Sequence, residues 1–410
     1  MSASFHLLRV ALVGSSLTGG GAEKQTVYIA RALLQSGIDV RFFHLGAGGK
    51  YEPVLRDMKV PVCQIYFPNR PWKILAKLTG ALRRWQPHIV LVNQFGDLPY
   101  GGIAGRCCHA LVLGGVRSDG WYELRTHGRL SRFMVRLTHG LISNSQHARQ
   151  ALVSQRVNPQ KIEVFPNVID LRDFDARSAL PFSVSLPAER IIVAAVGNLH
   201  PCKRFDRFLD ALAQARRISP EGAALAGVIA GADYGEKAAL QERARRLDLG
   251  SQDLLFLGAC DEVPALLGRA ALLVLCSEYE GFPNVILEAM AARLPVITTP
   301  AGDAGLVVQH DKTGYVVAPD DPRGMTAAML RLAQSPALRL RFGEAGRKRV
   351  EQDYDYESLT DRLLGLFRRF AEQRPASSLI EMLERSVSGR KTNADDGALG
   401  SSAPLMSVAP

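Results

Sequence analysis

An α/β fold of two doubly wound, Rossmann-like domains is predicted by three features of this sequence. Apolar runs within residues 9–14, 89–93, 191–196 and 271–275 read as parallel strands buried on both faces. Segments with helical periodicity separate these runs, so strands and helices alternate. The alternation occurs twice, and a mixed stretch at 171–189 with Pro181 and Pro187 reads as the linker between the two series. Two such domains facing each other would bind ligands in a central cleft, at the carboxyl ends of their strands.

In the first domain, residues 9–14 form the opening strand. A turn containing Gly19, Gly20 and Gly21 follows, then a helix to Gln35 whose apolar face is Val27, Ala30, Leu33 and Leu34, closed by Gly37. Strand, glycine turn and helix make a phosphate-loop geometry, although the spacing is not that of a dinucleotide fingerprint. Further strands are expected at 38–43, 89–93, 111–116 and 141–145, and helices at 71–85 and 146–156. The 71–85 helix carries Trp72, Lys73, Lys77, Arg83, Arg84 and Trp85. It reads as a solvated surface helix or as one that lies on a membrane.

The second domain begins with the strand at 191–196, and further strands are expected near 226–230, 253–257, 271–275 and 295–298. A final helix over 354–372 has Leu359, Leu363, Leu364, Leu366 and Phe367 on or near one face. These readings divide the chain into domains at 1–180 and 181–353, a helix at 354–374 expected to pack back on the first domain, and a tail at 375–410. The tail, rich in Ser, Gly, Ala and Pro, is expected to be largely disordered beyond a short amphipathic piece at 379–383.

Composition narrows the functional classes. The chain has 410 residues, 47% of them hydrophobic and 22% charged, an ordinary globular profile. Its six cysteines lie in no metal-finger or redox spacing, which points to a reducing compartment and away from structural zinc. The apolar run at 10–13 is too short for a signal peptide, and no stretch reaches the roughly 18 apolar residues that span a bilayer. The net charge of +10 is uneven: residues 1–180 hold 23 Lys+Arg against 11 Asp+Glu, or +12, and the remainder 27 against 29, or −2. The basic half suits an anionic membrane or a phosphorylated acceptor. Aromatic residues interleaved with the charges are sparse, so nucleic acid is not expected as a partner.

The organising element is residues 277–292. The strand at 271–275 turns through Gly281 and Pro283 into a helix near Asn284, with Glu280 before the helix start and Glu288 after it. A glycine turn at a helix N-terminus offers free N–H groups and the positive end of the helix dipole to an anion. Carboxylates at its lip suit hydroxyl groups, because a carboxylate accepts hydrogen bonds from a vicinal diol in bidentate fashion. The combination predicts a site for the phosphate ester of a polyhydroxy ligand, a nucleotide or a sugar nucleotide.

Three stretches then stand together: Thr18-Gly-Gly-Gly-Ala-Glu23, Val196-Gly-Asn-Leu-His-Pro-Cys-Lys-Arg204, and the block at 277–292. Pro295-Val-Ile-Thr-Thr-Pro-Ala-Gly-Asp303 and Lys312-Thr-Gly-Tyr-Val-Val317 follow. This set, in this order, closely resembles the retaining glycosyltransferases of the GT-B fold, family 4 type, which include bacterial enzymes of polysaccharide and lipopolysaccharide assembly. The resemblance covers roughly residues 9–370. It implies that Glu280 contacts the donor sugar near the reacting carbon and that Glu288 holds the ribose. Gly281, Phe282, Asn284 and Val285 then present backbone N–H groups to the diphosphate, and Lys203 neutralises it. Gly20 and Gly21 match the turn that closes from the first domain, so domain closure is expected. Two positions depart from the family pattern. Asn198 stands where a second diphosphate-binding Arg is usual, with Arg204 close by in sequence. Arg117 stands near a position usually held by His on the acceptor and sugar side; His109 and His127 do not match it.

The implied activity is transfer of a sugar from a nucleotide-diphosphate donor to a glycan or lipid-linked acceptor, with retention of configuration and with no metal or other cofactor. The implied location is cytoplasmic, peripheral at the inner membrane face. Two other readings remain at this stage: a sugar-nucleotide epimerase or hydrolase of the same fold, and a catalytically degenerate binding subunit.

Overall fold

The computed structural model describes residues 7–187, 189–374 and 378–386. They form two compact units. The first comprises the described residues up to Asn167 together with those from Tyr356 onward, and the second is Val168–Asp355.

The first unit is built on a seven-stranded sheet of β1 (Arg9–Gly14), β2 (Asp39–His44), β3 (Val62–Gln64), β4 (Ile89–Val92), β5 (Leu111–Val116), β6 (Gly140–Ser143) and β7 (Ile162–Val164). The spatial order is β3-β2-β1-β4-β5-β6-β7 and every pairing is parallel. The order reverses between β1 and β4, which places a ligand crevice beyond the carboxyl ends of those strands. Helices cover both faces, so Val10, Leu12, Leu91, Val112 and Leu113 are buried whichever way they point.

The chain returns to this unit at its end. Helix Leu359–Glu372 buries Leu359, Leu363, Phe367 and Phe370. Just before it, Tyr356 packs against the Tyr28 ring at 5.6 Å and donates a hydrogen bond to Gln35 Oε1 at 2.8 Å. The Arg31 guanidinium lies 3.8 Å from the Tyr356 ring centre, a cation–π contact.

The second unit has six parallel strands: β8 (Ile191–Val196), β9 (Leu225–Ala230), β10 (Leu254–Gly258), β11 (Leu272–Leu275), β12 (Val296–Thr298) and β13 (Gly314–Val316). Their order is β10-β9-β8-β11-β12-β13, with the reversal between β8 and β11. The loops after those two strands are the 197–204 and 276–283 segments singled out from the sequence.

Three expectations are corrected. Residues 171–189 are not all linker: Leu171–Ser178 is a helix, N-capped by Asp170, whose carboxylate accepts from Asp173 N at 3.0 Å. Leu171 and Phe174 enter the core of the second unit, and Asp175 receives both terminal nitrogens of Arg347 at 2.6 and 2.8 Å. The division between units therefore falls at residues 167 and 168 rather than at 180. Trp85 is not a surface residue of its helix: it is buried on Phe43, donates to Asp39 Oδ2 at 3.2 Å and stacks under Arg41. Trp72, at the other end of that helix, is 66% exposed. Most of the tail expected to be disordered lies outside the described residues; residues 378–386 are helical, with Leu379 and Leu383 buried.

Candidate active site

The second unit assembles its site from the loops after β8, β11 and β12. After β8 the chain makes a single 3-10 turn, Pro201–Lys203, and leaves it through Arg204 in the left-handed region at φ 51°. This turn lies against the β11 loop: Glu278 N donates to Cys202 O at 2.8 Å, and Cys276 Sγ donates to Arg204 O at 2.9 Å. Lys203 is thereby delivered to Glu280. Its Nζ lies 2.5 Å from Glu280 Oε1, and Ser277 Oγ donates to the same oxygen at 2.7 Å. Neither side chain is far into solvent, at 23% exposure for Lys203 and 11% for Glu280.

The turn from Glu280 to Pro283 leads into helix Asn284–Ala291, whose N-terminus has no side-chain cap. Its leading N–H groups and the positive end of its dipole begin four residues after Glu280. Phe282 anchors the turn, buried against Tyr354 at 5.8 Å. The loop after β12 supports it from below. Gly302 has φ 56°, and a Cβ there would lie 2.3 Å from Glu280 O and 2.5 Å from Gly281 O. Only glycine allows this approach. Glu288 sits one helical turn beyond Asn284, on the same face.

The remaining expected donor residues fall as follows. Val285 occupies the first turn of that helix, half-buried. Asn198 is exposed, and its Oδ1 accepts from Ala232 N at 3.3 Å, tying the β8 loop to the β9 loop. Arg204 does not join Lys203. It is held by Asp206 at 2.8 and 3.0 Å and by Glu278 at 3.3 Å, and Asp206 raises its pKa above the ordinary guanidinium value. It borders a cavity of about 1000 Å3 whose lining also includes His200, Cys202, Glu278, Tyr279 and Arg243.

In the first unit, polar groups gather beyond β1, β4 and β5. Gly20 is the N-cap of helix Gly21–Gln35, and a Cβ on it would lie 2.4 Å from Glu23 Oε2. The buried Glu23 accepts from Gln94 Nε2 at 3.5 Å. Arg117, after β5, is pushed down to about 10 by burial, against the opposing pull of the Glu23 carboxylate. Its Nε is buried without a partner among the described residues, while its carbonyl accepts from Asn144 Nδ2 at 3.2 Å. Asp97 is buried and pushed up to about 6 by desolvation; it accepts from Ser15 N at 2.9 Å and Ser15 Oγ at 3.2 Å. His127 bonds its own helix at Glu123 O, 2.8 Å, and packs on Phe95. His109 lies at the opposite end of the sheet, before β5.

Residues 19–173 match the family described as Glycosyltransferase Family 4, and residues 177–349 match Glycosyl transferases group 1. The glycogen synthase of Mycobacterium tuberculosis (strain ATCC 25618 / H37Rv) is 30% identical over 306 residues, 69% of each protein. The chain is a family 4 glycosyltransferase. Among other relatives, the N-acetyl-alpha-D-glucosaminyl L-malate synthase of Bacillus anthracis is 28% identical over 232 residues, 56% of this chain and 57% of that one. The structure of Anabaena Alr3699/HepE in complex with UDP and glucose superposes with a TM-score of 0.76 at 20% identity, covering 88% of this chain and 99% of that one. The fold of the transferase is accordingly GT-B.

Four residues bonded to or packed beside the candidate positions escaped sequence reasoning: Ser277 and Gly302 in the second unit, Glu23 and Asp97 in the first. The first three lie inside the quoted motifs, but their partners are named only by the folded chain. No sequence signal marks Asp97, which contacts a residue 82 positions away. Among the described residues, no group of three or more His, Cys, Asp or Glu is placed to hold a metal ion, and no helix is long and apolar enough to cross a membrane.

Proposed function

We propose that the enzyme transfers a glycosyl group from a nucleoside diphosphate sugar to a glycan or lipid-linked acceptor, with retention of configuration, in bacterial cell-surface polysaccharide or lipopolysaccharide synthesis. The observation that carries this reading is Lys203 held 2.5 Å from Glu280 beside the uncapped start of helix Asn284–Ala291. In this reading the diphosphate takes the lysine from Glu280, since it offers more negative charge. The freed carboxylate then accepts hydrogen bonds from the donor sugar, and Glu288 accepts from the ribose hydroxyls.

As the bond from the anomeric carbon to the diphosphate oxygen breaks, negative charge grows on the leaving group. The fixed ammonium and the helix N–H groups stabilise that charge more than the ground state. The acceptor oxygen attacks the same face, and its proton passes to the departing phosphate. Gly281, Phe282, Asn284 and Val285 contribute backbone N–H groups. Arg117 and Glu23 of the first unit suit the acceptor side, because a buried, incompletely partnered guanidinium favours an anionic or polyhydroxy group. The +12 charge of residues 1–180 supports peripheral association with an anionic cytoplasmic membrane face.

The test is a panel of UDP-, GDP-, ADP- and TDP-sugars scored by thermal stabilisation, followed by NMR of the product anomer. Absence of stabilisation by every donor would refute the donor site; an inverted product would refute retention.

A further inference from the structure

At the amino-terminal edge of the first sheet lies a cavity of about 410 Å3. It is at the opposite end of the strands from Glu23, Asp97 and Arg117. Its cationic lining is Arg9, the first residue of β1; Arg83, near the end of helix Pro71–Trp85; and Arg374, just after helix Leu359–Glu372. His88 and His109, which precede β4 and β5, also line it, as do Gln86, Cys107, Cys108 and Ser378. Among the described residues, no carboxylate belongs to the lining.

Several arginines of the second unit have carboxylate partners, as Arg56 and Arg369 of the first unit do. Arg204 is paired with Asp206, Arg216 with Asp253, Arg243 with Asp210 and Arg347 with Asp175. In the cavity, Arg9 Nε is buried with no partner among the described residues, and Arg374 Nη2 donates to a carbonyl, His109 O, at 3.1 Å. His88 Nδ1 accepts from Arg9 N at 3.0 Å, fixing the ring beside Arg9.

Helix dipoles do not cancel this charge. Three helices end at the cavity: Pro71–Trp85, Leu98–Cys107 and Leu359–Glu372. At about −0.5 charge each they supply about −1.5, against three guanidinium charges. Among the neighbouring charges Asp39, the β2 partner of Arg9, offsets part of the excess, and Arg106 and Lys161 add to it. Arg106 bonds Leu137 O at 2.9 Å and His139 at 3.0 Å, and Lys161 bonds Val135 O at 2.6 Å, all without a carboxylate. His139 is pushed down to about 4, first by burial and then by Arg106, Arg374 and Lys161.

We propose that this cavity, formed by Arg9, Arg83, His88, His109 and Arg374, is a binding site for a phosphoryl anion. The forked guanidinium groups match phosphate oxygens, and a dianion offsets the local excess. The ligand is a lipid phosphate headgroup or a free phosphate ester. The site is separate from the donor diphosphate site and does not depend on the transfer chemistry.

The full chain is tested in two arms. In one, inorganic phosphate and glycerol 3-phosphate are titrated at matched ionic strength while melting is followed. In the other, flotation is measured with phosphatidylcholine vesicles, with and without phosphatidylglycerol. Each arm compares wild type, Arg9→Gln, Arg374→Gln, the pair of these, and a control with Lys73→Gln and Lys77→Gln, which removes equal charge outside the cavity. The expected result is binding that survives in the control and weakens about tenfold per cavity arginine, about 1.4 kcal/mol each. Binding in the first arm alone identifies a free phosphate ester, and binding in the second identifies a headgroup. The proposal is overturned if neither arm shows binding, or if the arginine pair binds as well as wild type. The second result would trace any phosphate effect to the donor site or to overall charge.

Discussion

Replacing Asp97 by Asn should stabilise the first unit, and by an amount that grows with pH. Burial raises the Asp97 carboxyl from 3.8 to about 6. Between those values the folded state holds a proton that the unfolded state has released. Stability from this group is therefore fully present below pH 3.8 and is lost as pH rises through about 6. At 1.36 kcal/mol per pKa unit, the difference between 3.8 and about 6 amounts to about 3 kcal/mol at alkaline pH. Asparagine removes the titration and keeps an oxygen to accept from Ser15 N. Wild type should lose about 2 kcal/mol relative to Asp97→Asn between roughly pH 4 and pH 8. All three tryptophans, Trp72, Trp85 and Trp121, lie in the first unit, so urea unfolding followed by tryptophan fluorescence reports on that unit alone. A stability difference between the two proteins that does not change with pH would refute the assignment of a buried, proton-holding carboxyl.

Other perturbations separate the parts of the donor site. Lys203→Ala should lower kcat/KM by roughly 10² to 10³, the usual loss for one group stabilising a leaving charge, measured as product formed per unit time; undiminished transfer would remove Lys203 from the mechanism. Glu288→Ala should weaken nucleotide-sugar affinity by about tenfold or more, seen by calorimetry, as expected for loss of a charge-assisted hydrogen bond. Gly302→Ala should depress both stability and activity, because φ is 56° and the new Cβ would press on Glu280 O; Gly19→Ala, with open space around it, should leave stability within about 1 kcal/mol of wild type. Arg347→Met should cost the second unit about 2–3 kcal/mol, by chemical denaturation, since Asp175 and Ala291 O both lose a charged donor.

The sequence shows the central strands because they are apolar on both faces: Arg9 apart, β1, β4, β8 and β11 are unbroken apolar runs. The edge strands β3, β7 and β13 have three residues each, and Gln64 and Glu163 interrupt any pattern, so pairing with a neighbour alone defines them. Helix Leu171–Ser178 buries only Leu171 and Phe174, too little to show as periodicity; its cap at Asp170 was the better signal. Trp85 reads as a surface aromatic until β2 supplies Asp39 and Arg41 around it.

The site divides in the same way. Lys203, Glu280 and Glu288 stand out through their motif, yet the ion pair joins residues 77 positions apart. That pairing is a product of the crossover topology, whereas the Ser277 hydrogen bond to Glu280 and the turn of Arg204 toward Asp206 are local, three and two residues apart. Arg204 in particular is adjacent to Lys203 in sequence and is committed elsewhere in space.

The first unit is made of two separated pieces of chain, and the second of one. During synthesis this sets an order. Val168–Asp355 has both its ends joined by the Ile169–Asp355 bridge and can close as soon as it has emerged. The first unit emerges earlier but cannot finish, because Tyr356 and the face of Leu363, Phe367 and Phe370 are still to come. Of the two units, the one whose chain starts first is thus the last to be completed. A nascent chain stopped before residue 356 would carry a finished second unit and an open first one, exposed to proteases and chaperones until the closing helix arrives.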